Sequence, residues 1–290
     1  MLASGRPREH IYPRSPPGRS RRVGQVQILS TRSLRDVGDL EELLFPTRKE
    51  RFAERRKERA HRDVRDEVFD RATLLAVSRL VSHGYLREVD HSISTGKEAN
   101  VFRVTTKDGF AALKVYRITN ALFRRWPEYA LEELRREVGG GSFARLVFAW
   151  ARREHTALQD CHEAGVHVPR PLVQYRNLLL MEFLGEEGIP SPPLVQVRPE
   201  DPARTLDQLA EDCRRMMERA GRVHGDLSPY NVIYHKGRPY LIDLGQTLPR
   251  DHPQALELLR RDAAHLAKYF SRLGVSVDPE ELYGKLGGTP

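Results

Sequence analysis

The order of patterned segments predicts an α+β fold of two lobes, a β-rich half with one long helix followed by a mainly helical half. Three observations carry this. Two hairpin patterns fall in the first half, EANVFRVTT and FAALKVYRI about Lys107-Asp108-Gly109, and PLVQYRNLLLMEFL about Arg176-Asn177. A Pro-rich stretch, IPSPPLVQVRPEDP, divides the halves. Beyond it two helical patterns flank one polar stretch, HGDLSPYNVIYHKGRPYLIDLG.

Taken in order, residues 1–62 carry fourteen Arg and two Lys against eight acids, a net of +8. That equals the net charge of the whole chain, so the remainder is balanced. The segment opens GRPREHIYPRSPPGRSRR, without periodicity, and reads as a basic disordered arm. It would serve as a solubilising tail or as a contact to the phosphate backbone of RNA. An amphipathic helix follows, with Val68, Leu74, Leu75, Val77, Leu80 and Val81 at helical spacing and Gly84 as its stop. After the first hairpin a short helix ends in Gly139 to Gly141, and a long helix covers about Leu146 to Glu163. The second hairpin, the linker and a helix through LDQLAEDCRRMMERA lead to the polar stretch, which reads as two short strands about His235-Lys236-Gly237. A final helix spans roughly Pro253 to Leu273, and there are no internal repeats. The division is residues 1–62 (arm), 63–184 (helix and β-rich lobe) and 185–290 (mainly helical lobe).

An apolar fraction of 39% and a mean hydropathy of −0.56 describe a soluble protein. No run approaches the eighteen or so apolar residues that cross a bilayer, and no apolar signal core opens the chain. Two cysteines, Cys161 and Cys213, make no disulfide framework and suit a reducing, cytoplasmic setting.

The chemistry lies in the polar stretch. Asp226 and Asn231 alone would be loop formers. Asp243, however, follows the apolar strand YLI, and a strand-end carboxylate with a preceding amide can converge on one Mg²⁺, which takes few protein oxygens plus substrate phosphates. The spacing D-x4-N-x11-D matches the kinase arrangement, in which one Asp faces the acceptor while Asn and the second Asp hold metal. Such a site also needs a cation for the nucleotide phosphates. Lys114 in AALKVY qualifies, although alternation alone would allow an exposed strand lysine. The STGKEAN loop just before offers backbone amides and the hydroxyls of Ser94 and Thr95, with only Gly96 as glycine. Glu154 could pair with Lys114, or be an ordinary surface glutamate.

Together these residues resemble the RIO family of atypical protein kinases, its RIO-one branch in particular. The motifs are STGKEANVF, LKVYR, WARRE, EAGVHVPRP, LLLMEFLG, HGDLSPYN, LIDLGQ and DHPQALELLRRD, in family order over roughly Asp70 to Val275. The resemblance implies a two-lobed protein-kinase-like fold with a reduced C-terminal lobe, and ATP and Mg²⁺ as cofactors. It implies that Lys114 and Glu154 form the phosphate-positioning pair, that Ser94, Thr95 and Lys97 lie in the phosphate-covering loop, and that Met181 is the gatekeeper. The backbone of Glu182 and Leu184 would meet adenine. Asp226 would be the catalytic base or acceptor-positioning Asp; Asn231 and Asp243 would hold Mg²⁺, with Asp243 also a candidate nucleophile forming a phosphoaspartate in an ATPase cycle. The family's association with small ribosomal subunit maturation implies that particle, or its RNA, as partner.

The sequence departs from the family in three places. It has His224-Gly225-Asp226 where the branch usually has Ala in the middle. Leu244-Gly245 follows the metal Asp instead of Val-Ser. The segment between Lys114 and Trp150 is altered, with Thr119 its one Thr and Ser142 its one Ser. Ser228 stands where ordinary kinases carry Lys. Only 47 residues follow Asp243, too few for the peptide-docking segment of an ordinary kinase, so self-phosphorylation, ATP hydrolysis or one dedicated partner is expected. A small-molecule phosphotransferase of the aminoglycoside or choline kinase kind, and an RNA- or ribosome-binding factor switched by ATP, are the competing readings.

Overall fold

The computed structural model describes residues 69–118, 126–139 and 142–289. The arm over residues 1–62, Val68, Thr119, Gly140 and Gly141 lie outside the described residues.

Helix α1 (Arg71–Ser82) starts where Asp70 accepts the Thr73 N–H at 2.7 Å, and it buries Leu74, Val77 and Leu80. Gly84 closes it at φ 75, as its sequence position foretold. Strands β1 (Glu88–Thr95), β2 (Ala99–Thr106) and β3 (Gly109–Tyr116) follow. Next come helices α2 (Glu128–Val138) and α3 (Phe143–Glu163), then strands β4 (Pro171–Tyr175) and β5 (Leu178–Glu182). The strands form an antiparallel sheet in the order β1-β2-β3-β5-β4. On its α1 face lies one apolar core, with Phe69 packed on Phe102 and with Leu113, Val115, Leu178 and Leu180 beneath. The other face contributes Tyr116 and Leu179 to a larger core running through α3 and the second half. Six consecutive β3 residues, Ala111 to Tyr116, are therefore buried, and Lys114 is one of them. That is why strand alternation did not expose it.

The second half begins with two-residue strand β6 (Gly185–Glu186), just before the expected linker, and with two-residue strand β7 (Ile189–Pro190) and a 3-10 turn at Leu194–Gln196 within it. Helix α4 (Pro202–Glu218) is capped by Asp201, whose carboxylate accepts from the Arg204 N–H at 2.9 Å. Strand β8 (Arg222–Val223) leads into the polar stretch, where β9 (Val232–His235) and β10 (Arg238–Leu241) form the anticipated hairpin. Strand β11 (Leu248–Pro249) returns to pair with β8, helix α5 spans Ala255–Arg272, and helix α6 spans Pro279–Lys285. The architecture is the α+β one read from the sequence. Unforeseen were β1, which takes in Ser94 and Thr95, and α6, too short to leave a periodic pattern. Among the described residues no helix is long and apolar enough to cross a membrane, and Cys161 and Cys213 are free and buried.

Candidate active site

Lys114 and Glu154 meet in the interior. Glu154 sits in the apolar stripe of α3, between Trp150 and Leu158, and is 2% exposed, so it is no surface glutamate. The Lys114 Nζ donates to its two carboxylate oxygens at 2.7 and 2.8 Å and to Asp243 Oδ1 at 2.5 Å. The buried Tyr116 hydroxyl also donates to Glu154, and the Lys114 ammonium lies 5.2 Å from the Tyr116 ring centre. Burial alone would push the Lys114 pKa down, but Asp243 and Glu154 override it and hold the group charged. Burial raises Glu154 and raises Tyr116 well above its ordinary value, so the phenol stays a donor. Asp243 is held below the usual carboxylate range by Lys114, and its side chain is 56% exposed. One cation thus links β3, α3 and the loop after β10.

The polar stretch folds so that its functional groups share one end of a hairpin. Asn231 directly precedes β9, and its carbonyl accepts the Ile242 N–H at 3.0 Å, setting Asn231 beside the Ile242-Asp243 turn. The Asn231 Nδ2 donates to the Asp226 carbonyl at 2.7 Å and its carboxylate at 3.3 Å, leaving the amide oxygen for a cation. Asp243 adopts φ 67 and ψ 50, a left-handed backbone uncommon outside glycine. His224 is buried; burial lowers its pKa, so the ring is neutral and its Nε2–H donates to the Ile242 carbonyl at 3.1 Å. Gly225 has φ 75, and a Cβ there would come within 3.0 Å of Leu248; glycine in place of the family's alanine fits both demands.

Several supporting residues escaped the sequence reading. Asp262 of α5 is fully buried and accepts the N–H groups of Gly225 and Leu227, both at 2.9 Å, bracketing Asp226 from behind. Arg261 donates to the Gly225 carbonyl at 2.5 Å. A charged pair mid-helix reads as solvated surface; only its place in DHPQALELLRRD hinted otherwise. Trp150 stacks on Trp126 at 4.2 Å and 4°, and a Cβ at residue 245 would lie 3.0 Å from the Trp150 ring, so Gly245 makes room for that stack.

The remaining candidates line the sheet's edge. Ser94 and Thr95 are exposed at the end of β1 rather than in a loop, which narrows to Gly96–Glu98 with Lys97 exposed. The Gly96 N–H donates to the Ala99 carbonyl at 3.0 Å, and a Cβ there would sit 2.9 Å from that oxygen. Met181 lies opposite Ala112, one residue before the end of β5. The Glu182 N–H donates to the Arg170 carbonyl at 2.8 Å, and the Leu184 carbonyl accepts the Ser191 N–H at 2.9 Å. Among the described residues no three His, Cys, Asp or Glu side chains form a metal cluster, so a cation here would rest on Asn231, Asp243 and ligand oxygens.

The RIO domain family model matches residues 100–282. The "RIO-type serine/threonine-protein kinase Rio1" of Haloferax volcanii is 40% identical over 253 residues, covering 86% of this chain and 87% of that protein. Its counterpart in Methanocaldococcus jannaschii is 30% identical, covering 77% of each chain. The human "Serine/threonine-protein kinase RIO1" is 35% identical over 226 residues, covering 76% of this chain but 40% of that protein. In fold, the chain is similar to the Rio2 kinase of Chaetomium thermophilum in a structure described as an ADP/Mg²⁺-phosphoaspartate complex. There the TM-score is 0.56 with 21% identity, covering 74% of this chain and 66% of that one.

Proposed function

This chain belongs to the RIO family of serine/threonine-protein kinases, and from that membership we propose that it is an ATP- and Mg²⁺-dependent phosphotransferase and ATPase whose site is the one built on Lys114, Asp226, Asn231 and Asp243. The observation that carries this reading is the Lys114 ammonium joined at once to Glu154 and Asp243. A buried lysine with two carboxylates is an arrangement for receiving phosphate oxygens when a third partner arrives. The donors suit the cofactor: an amide oxygen and a carboxylate are hard ligands of the kind Mg²⁺ takes together with phosphates. When bound, the metal would neutralise phosphate charge; the residues do the rest. In this reading residues 63–184 supply the nucleotide lobe, with Ser94, Thr95 and Lys97 over the phosphates, Met181 as gatekeeper, and Glu182 and Leu184 along adenine. Residues 185–290 supply the catalytic lobe. Lys114 turns from Asp243 to the phosphates while Glu154 keeps its other side. Asp226 orients the acceptor and takes its proton.

Asp243 has a second role in this proposal. Its exposed carboxylate attacks the γ-phosphorus, ADP leaves, and water later hydrolyses the acyl phosphate. Support comes from the phosphoaspartate described for the fold relative and from the exposed position of the Asp243 carboxylate. Label from γ-labelled ATP should appear on the wild type and be released by hydroxylamine; label that resists hydroxylamine would assign the acceptor to Ser or Thr. We further propose that turnover serves small ribosomal subunit maturation, with the Arg-rich residues 1–62 on RNA phosphates. Asp226→Ala protein loaded with ATP should then retain small-subunit precursors in a pulldown, and deleting residues 1–62 should weaken RNA binding and flatten its salt dependence.

A further inference from the structure

We propose that Arg153, with Tyr129 and Glu133, is a clamp that positions Asp243 for its cation; this rests on the reading of Asp243 as the metal-holding carboxylate. Three successive carbonyls after that residue each accept a side-chain donor. Arg153 Nε donates to Gly245 O at 3.1 Å, the Tyr129 hydroxyl to Gln246 O at 2.6 Å, and Arg153 Nη2 to Thr247 O at 2.7 Å. The third guanidinium nitrogen, Nη1, is held by the Glu133 carboxylate of α2. All three nitrogens of one planar fork are therefore engaged, which fixes its orientation.

The sequence neighbour of Arg153 gives the clamp its purpose. Glu154 holds Lys114, and Lys114 holds Asp243. Helix α3 thus grips this loop twice, by the ion chain to the Asp243 side chain and by Arg153 to the backbone two and four residues on. The first grip is released whenever Lys114 turns to nucleotide phosphates. From then on the left-handed turn at Asp243 is held by its backbone, and the clamp is what faces that backbone from α2 and α3. The Trp126–Trp150 stack against Gly245 closes the same side. The segment that departs from the family pattern between Lys114 and Trp150 supplies Trp126, Tyr129 and Glu133 to this brace.

A clamp acting through Asp243 differs from a merely stabilising contact in one readout, the coupling between Mg²⁺ and nucleotide. The test is binding of a fluorescent ADP analogue to the full chain, in EDTA and in stepped MgCl₂, for wild type, Asp243→Asn, Arg153→Lys and Tyr129→Phe. Lysine keeps the charge opposite Glu133 but cannot span two carbonyls. Wild type should bind more tightly with Mg²⁺, and Asp243→Asn should lose that gain. Arg153→Lys should match wild type in EDTA and lose about tenfold of the gain, the size of one charge-assisted hydrogen bond. Tyr129→Phe should lose about threefold, as one neutral hydrogen bond does, and it carries the comparison should Arg153→Lys fail to fold. A full Mg²⁺ gain in both clamp variants, with Asp243→Asn deficient, overturns the clamp and leaves the metal reading standing. A full gain in Asp243→Asn overturns both.

Discussion

The two halves of the site secure their charges in opposite ways. Around Lys114 the polar side chains satisfy one another, with Glu154, Asp243 and Tyr116 in direct contact and all but Asp243 buried. Around Asp226 the side chains stay accessible, and the backbone beneath them is what is fixed. Asp262 holds two N–H groups, Arg261 one carbonyl and Asn231 another, while Tyr230 between them is 70% exposed. The first arrangement suits a group that must keep a charge in a dry place; the second suits groups that meet an acceptor. Removing a member of the first should therefore cost stability and function together, whereas removing Asp226 should cost function alone.

The sharpest break in that comparison is Asp226→Ala. Loss of a positioned acid–base group lowers turnover about a thousandfold, while thermal unfolding stays within a few degrees of wild type; matching losses of both would make the two regions alike. Next comes Glu154→Gln, which takes a carboxylate from the buried Lys114 ammonium. Breaking a buried pair from one side costs about 3 kcal/mol, so this variant should unfold well below wild type and bind ATP poorly. Tyr116→Phe is smaller: the ring stays and one hydrogen bond to Glu154 goes. It should cost about 1 kcal/mol and raise the KM for ATP several-fold with kcat little changed. A kcat effect without a KM effect would move Tyr116 out of the nucleotide pocket.

The finest effect is in pH. Burial pushes the Asp262 carboxyl up to about 7, against the pull of its two backbone N–H donors and Arg261. A pKa raised in the folded state means that the native protein binds this proton more tightly than the unfolded chain does. Its stabilising contribution is full below the ordinary carboxylate range and is lost as pH rises to about 7. The melting temperature of wild type should fall relative to Asp262→Asn across that window, because the amide does not titrate. A constant difference between the two proteins would contradict the assignment.

Much of this was legible in the sequence because local pattern and chemistry agree. The period of α1, the Gly237 hairpin and the strand before Asp243 announced themselves through spacing and turn residues. The supports of the site did not, because they act across long sequence separations. Arg153 reaches residues 245 and 247, Asp262 reaches 225 and 227, and the exposure of Glu154 depended on how α3 packs. Strand β1 was hidden because Ser94 and Thr95 read as loop; in the fold the strand pairs with β2 through two register shifts.

The central claim is that Lys114, Asp226, Asn231 and Asp243 form one Mg²⁺-dependent phosphotransfer site. Release and transfer of phosphate from γ-labelled ATP, measured over a Mg²⁺ titration for wild type and Asn231→Ala, tests it most directly. The account predicts no turnover in EDTA, saturable turnover with Mg²⁺ in the wild type, and an Asn231→Ala curve displaced to about tenfold higher Mg²⁺ for one lost metal contact. Coincident Mg²⁺ curves for the two proteins would contradict it.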